Sequence, residues 1–157
     1  MSNVTLLHKE TYLSMIRNAA GTKMFRNLWA NDSEAGLVDL TENGSKSCAV
    51  FVSSVLYLFG LISSKRATVE SLERNLVASG WTDTSMSPGV GDVIVWEPIH
   101  QNGHVNAHVG FCLNTKQAVS SNWKTGHIGI HHITYGTKKN GYPVRLIEAV
   151  YTHDFLS

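Results

Sequence analysis

The clearest chemical potential in this sequence lies at a cysteine that follows small polar residues and opens an apolar run. Asn43-Gly44-Ser45-Lys46-Ser47 leads into Cys48, and Ala49 to Phe59 continues almost wholly apolar up to Gly60. The pattern predicts a helix beginning at Cys48. Ser45 or Ser47 can cap it through a hydroxyl, and Gly60 closes it where a left-handed residue ends a helix. A thiol at a helix start sits among unpaired backbone N–H groups at the positive end of the dipole. That setting is expected to lower its pKa and to offer donors to an oxyanion. Cys48 is therefore the candidate nucleophile, and its backbone is the candidate oxyanion donor.

A thiol nucleophile needs a base within hydrogen-bond reach and a third group that orients the base. The chain has eight histidines. His108 opens an expected strand after a polar loop, where its ring can project from a sheet edge toward a helix start. His104 lies in that loop, and His127, His131 and His132 fall on or near a later strand. Across a short turn at 114–117, residues 120–122 come back beside His108. Asn122 can accept from an imidazole N–H through its side-chain carbonyl and is the expected third member, with Ser120 as the alternative. Trp96, His104 and Trp123 are the candidate substrate contacts.

The four-residue spacing of His104, His108 and Cys112 would line up metal ligands on a helix. Gly103, Gly110, Val105 and Val109 argue for a strand instead, so neither metal nor cofactor is expected. A Cys48–Cys112 disulfide is not expected either, since two cysteines make no disulfide framework.

The elements that must position these residues divide in two along the chain. Helices are expected over 6–20, 48–59 and 67–78, the last capped by Thr68, with a short helix or ordered connection at 24–30 and a loop at 31–44. The run 88–91 is a turn that Asp92 organises. Strands follow over 92–96, 107–113, 118–121, 128–133 and 145–151, with 97–106 read as a polar loop and 138–141 as a turn. Helices first and strands afterwards predict an α+β fold.

With 157 residues, 43% hydrophobic and 16% charged, the chain is long enough for one domain with a real core. Residues 1–44 form its helical N-terminal part, 45–122 the candidate core and 123–157 the last strands. A net charge of +1 gives no reason to expect nucleic acid as a partner. No stretch reads as a membrane span or as a signal peptide, which leaves the compartment open.

In order, Cys48-Ala49-Val50-Phe51-Val52, the strand from Asp92 after Pro88-Gly89, and His108-Val109-Gly110 resemble the NlpC/P60 and CHAP group of papain-like cysteine peptidases and amidases. Residues 46–122 carry the resemblance, and Ser120-Ser121-Asn122-Trp123 is similar to the Glu-x-Asn-Trp ending of CHAP members, with serine in place of glutamate. The resemblance implies a papain-like fold, with a Cys-bearing helix packed on an antiparallel sheet of five or six strands. It also implies thiolate attack by Cys48 on an amide carbonyl, His108 as base and then acid, and Asn122 or Ser120 as the third residue. The implied substrate is a peptide or amide bond, chiefly in bacterial peptidoglycan. A binding module that keeps the scaffold without turnover, and an amidase acting on a substrate outside the wall, remain the alternatives.

Overall fold

In a computed structural model, residues 3–85, 87–101 and 103–157 are described. The helical half holds α1 (His8–Asn18), the strands β1 (Trp29–Asp32) and β2 (Gly36–Asp39), then α2 (Cys48–Leu58) and α3 (Val69–Ala78). The sheet half holds β3 (Thr82–Asp83), β4 (Val93–Gln101), β5 (His104–Cys112), β6 (Gln117–Ser121), β7 (Ile128–His132) and β8 (Ile147–Thr152). β1 and β2 form a separate hairpin, and the other six strands make one antiparallel sheet in the order β3-β8-β4-β5-β6-β7. The fold is α+β.

Two expectations need correction. The stretch 24–30 is an ordered connection running into β1 at Trp29, not a helix, and 31–44, expected as a loop, holds the rest of the β1–β2 hairpin. The stretch 97–106, expected as a loop, is the outer half of a long β4–β5 hairpin, with His100 opposite Val105 and Gln101 opposite His104.

Helix α2 is buried on nearly every side, with Ala49, Phe51, Val52 and Leu56 at 0% exposure. Its valines are weak helix formers, so packing supplies what propensity does not. Burying each such side chain contributes roughly 1.5–3 kcal/mol. Phe51 meets Phe111 of β5 edge to face at 5.4 Å between ring centroids. Tyr12 of α1 packs on Phe111 in the same manner at 6.0 Å and donates its hydroxyl to the Gly91 carbonyl at 2.8 Å. One apolar cluster thereby joins all three helices to one face of the sheet.

The loop entering α2 is shaped by Asp39. Its carboxylate accepts from the amides of Leu28, Thr41 and Asn43, the Thr41 hydroxyl and the Asn27 side chain. Glu42, Asn43 and Gly44 all take positive φ, and a Cβ on Gly44 would lie 2.7 Å from the Gly126 Cα. The start of α2 is thus pressed against the β6–β7 turn. Ser47 stands at the N-cap position, but its hydroxyl donates back to the Gly44 carbonyl at 3.0 Å and makes no cap bond.

Strand alternation divides the sheet into two faces. Val93, Val95, Val109, Phe111 and Val119 face the helices, while Ile94, Trp96, Cys112 and Ala118 build a second cluster on the other side with Ile133. His108 has the parity of Cys112 and leaves β5 on that second face. Between β4 and β5 the register shifts, so that Trp96 pairs with His108 but Ile99 pairs with Asn106. Pro98, which lacks an N–H, lies in this bulge. Arg145, buried ahead of β8, closes it by donating from Nε to the Glu97 carbonyl at 2.9 Å and from Nη2 to the Asn106 carbonyl at 2.8 Å. At Gly110, β5 comes so close to β6 that a Cβ would lie 2.8 Å from the Ser120 Cβ and 3.1 Å from Trp96 Cη2.

Candidate active site

Cys48 begins α2, and the amides of Val109, Ala49 and Cys48 itself favour its thiolate. The Val109 amide is available for a topological reason. Phe111 and Leu113 direct their amides and carbonyls toward β6, and by alternation so does Val109. The β5–β6 pairing stops at Gly110 opposite Ser120, so β6 does not claim that amide. The thiol therefore reaches β5 from the helix side, one residue from His108, where β5 and β6 part.

On the other face, four side chains converge on the Ser120 hydroxyl. His108 Nε2 lies 2.9 Å from Ser120 Oγ, His131 Nε2 lies 2.8 Å from it, and the Tyr135 hydroxyl lies at 3.2 Å. His131 Nδ1 is 2.8 Å from its neighbour's carbonyl at His132. The Tyr135 and His131 rings stack at 4.0 Å and 14°. Trp96 is fully buried beneath this group, with ring centroids 5.4 Å from both His108 and His131.

Electrostatics link the two faces. Burial pushes the Cys48 thiol up, and the three surrounding amides and the positive charge of Arg145 only partly offset it. The lowered pKa expected from a helix start is therefore outweighed by desolvation. Burial also holds His108 down at about 3, with Arg145 and His131 adding in the same direction. His131 is lowered by burial as well. Tyr135 is pushed up to about 12, first by burial, and it senses the charge on Cys48 while its ring lies 6.1 Å from that of His108. Near neutral pH the site holds a neutral thiol, two neutral imidazoles and a neutral phenol beside one guanidinium. Among the described residues no carboxylate lies within 4.0 Å of Arg145.

The other residues singled out from sequence lie elsewhere. Asn122 turns its carbonyl oxygen onto the amides of Lys124 and Thr125, at 2.9 and 3.4 Å, and so shapes the β6–β7 turn. The group hydrogen-bonded to His108 is Ser120. Trp96 has no solvent-exposed surface and cannot touch a substrate; its place is under the imidazoles. His104 is exposed at the end of the β4–β5 hairpin, about 13 Å along the strand from His108. Trp123 is 60% exposed in the β6–β7 turn, with Lys124 over its ring. Cys112 is buried and free, and burial pushes its thiol up to about 11. Asp92 accepts from the Gly89 amide at 2.7 Å and organises its turn.

Sequence reading missed His131, Tyr135 and Arg145. The β6–β7 pairing sets His131 opposite Ala118 and on the face of Ser120, so only a correct hairpin register would have revealed it. Among the described residues no group of three or more His, Cys, Asp or Glu side chains is arranged to hold a metal ion. Likewise, no helix among them is long and apolar enough to cross a membrane.

Fold and site together define an α+β protein with a helix-initial cysteine on one face of β5 and a strand-borne histidine on the other, with no direct hydrogen bond between the two. No protein-family model matches the chain, and no curated protein matches it in sequence.

Proposed function

We propose that the protein is a papain-like cysteine hydrolase that cleaves peptide or amide bonds, with bacterial peptidoglycan peptides as its substrate class. The observation that carries this reading is a cysteine at the start of α2 whose thiolate the Val109 amide of β5 favours, one residue from a histidine whose Nε2 is tied to Ser120. The substrate class rests on the resemblance over 46–122 to NlpC/P60 and CHAP enzymes.

In this reading the resting pair is neutral, and the proton moves as the bond forms. The Cys48 proton passes to His108 Nδ1, to which the resting thiol makes no direct hydrogen bond, while sulfur adds to the carbonyl carbon and the carbonyl π pair moves to oxygen, toward the Cys48 amide. Collapse expels the amine, which takes the proton back from His108, and leaves a thioester. Water then adds, with His108 again the base, and the carboxylic acid leaves as the thiol reforms. Arg145 favours the thiolate at the moment it appears, through charge and without contact with the reacting atoms.

The test is mass spectrometry of purified peptidoglycan fragments before and after incubation with the wild-type chain and with Cys48→Ala. The expected result is amide cleavage by the wild type alone. Cleavage that persists in the variant overturns the assignment. A binding module on the same scaffold is favoured by the burial that pushes the Cys48 thiol up. It would retain fragments and never form a thioester on Cys48.

A further inference from the structure

The hydrogen bonds around Ser120 admit one arrangement of protons among neutral groups, and that arrangement prepares His108. A carbonyl oxygen only accepts, so the contact of His131 Nδ1 with the His132 carbonyl places the His131 proton on Nδ1. Neutral His131 then offers a bare lone pair at Nε2. A serine hydroxyl has one proton to donate and two lone pairs, and Ser120 has three partners. Its proton goes to the bare His131 nitrogen. One lone pair accepts from the Tyr135 hydroxyl, which keeps its proton across the physiological range. The other accepts from His108 Nε2–H, and the lone pair of His108 is left on Nδ1.

We propose that His131 is a positioning residue acting through Ser120: a relay from the His132 carbonyl through His131 and Ser120 fixes the tautomer of His108 and presents its Nδ1 as the base. The relay rests on the reading of His108 as the base for Cys48, which it deepens.

In this relay a serine and a second histidine do the work of a single carboxylate or amide. Ser120 alone could not choose a tautomer, because its hydroxyl can donate to His108 as readily as accept from it. His131 removes that choice. The stacked Tyr135 ring and the buried Trp96 beneath keep the second histidine from turning away. Protonation of His131 reverses the relay. Its Nε2–H would then donate to Ser120, and Ser120 would be free to donate to His108 Nε2 and force the proton onto Nδ1. The groups that bear on His131 are Ser120 of β6, His108 of β5, and Tyr135, His132 and the Arg145 guanidinium nearby. The site is therefore expected to switch off on acidification as His131, not His108, takes a proton.

Nitrogen-15 NMR of the histidine-labelled chain near neutral pH reads the tautomers without any substrate. Expected are a protonated Nε2 with a bare Nδ1 on His108, and the opposite on His131. In His131→Leu, His108 should become a mixture of both forms. Ser120→Ala, which leaves the backbone undisturbed, should do the same and serves if the leucine variant fails to fold. A wild-type His108 protonated on Nδ1, or an unchanged tautomer in both variants, overturns the relay. With an amide substrate in hand, His131→Leu should lower kcat about tenfold or more with KM within twofold. His131→Gln, whose amide oxygen can still accept, should recover a substantial part of the loss. A kcat unchanged in His131→Leu overturns the positioning role. If the tautomers are as assigned while no amide is cleaved, the relay stands and the hydrolase reading falls.

Discussion

The Trp96 indole donates its Nε1–H to the Ile133 carbonyl at 2.8 Å, and the ring so fixed lies 5.4 Å from the centre of His108. A large buried side chain on β4 is thereby anchored to the segment after β7, beneath the imidazoles of two other strands. Trp96→Phe keeps an aromatic ring but orphans a buried carbonyl, at a cost of about 1–3 kcal/mol. The expected outcome is a lower urea midpoint together with broadened His108 and His131 ring signals. A loss of stability with unchanged ring signals would separate the indole from the site.

Cys48 should alkylate more slowly in the native chain than in urea, because burial raises its pKa more than the amides and Arg145 lower it. Its rate should reach half-maximum at a higher pH than the unfolded chain shows. Iodoacetamide kinetics across pH, with Cys112 as the buried internal reference, give the comparison. A native thiol that titrates below the unfolded one would mean that the amides and the helix start outweigh burial.

Acid should unfold the chain through its histidines. His108 in the unfolded state takes a proton near its ordinary 6.5, whereas in the fold it stays neutral to about 3. Between those values the unfolded state binds more protons, so stability falls as pH falls. One proton at about 1.36 kcal/mol per unit makes the loss roughly 2 kcal/mol between pH 7 and pH 5. His131 adds to it with the same sign. Urea midpoints across that window should drop in the wild type and flatten in His108→Gln; parallel curves would contradict the assignment.

Arg145→Met removes two hydrogen bonds from a charged donor and strands the Glu97 and Asn106 carbonyls. The expected cost is about 2–3 kcal/mol in denaturant unfolding. The same change removes a positive charge that favours the Cys48 thiolate, so the alkylation midpoint should move further up. Arg145→Lys restores the charge without the two-pronged geometry. It should therefore recover the thiol titration better than the stability.

The sequence made some of this legible and hid the rest for physical reasons. Small polar residues, a cysteine, an apolar run and Gly60 locate α2 because its burial is nearly complete. Thr68 caps α3 as expected, accepting from the Ser71 amide. The outer β4–β5 hairpin is invisible as strand, because residues such as His104, Val105 and Asn106 are all exposed and leave no alternation to read. Counting across the turn puts Asn122 opposite His108. The ladder instead ends at Ser120, and the asparagine is spent on turning the chain. Arg145 looks like an ordinary strand-start cation until the bulge at Pro98 gives it two carbonyls to bind.

The strand that comes last in chain order does not sit at the edge of the sheet. β8 lies between β3 and β4 and pairs with both. During synthesis, Cys48, His108 and Ser120 all emerge while β3 and β4 still have no partner between them. Arg145, just ahead of β8, arrives with it. A nascent chain thus carries the thiol long before it carries the frame that could put it to use, and a product truncated ahead of β8 would hold these residues without the strand that joins β3 to β4.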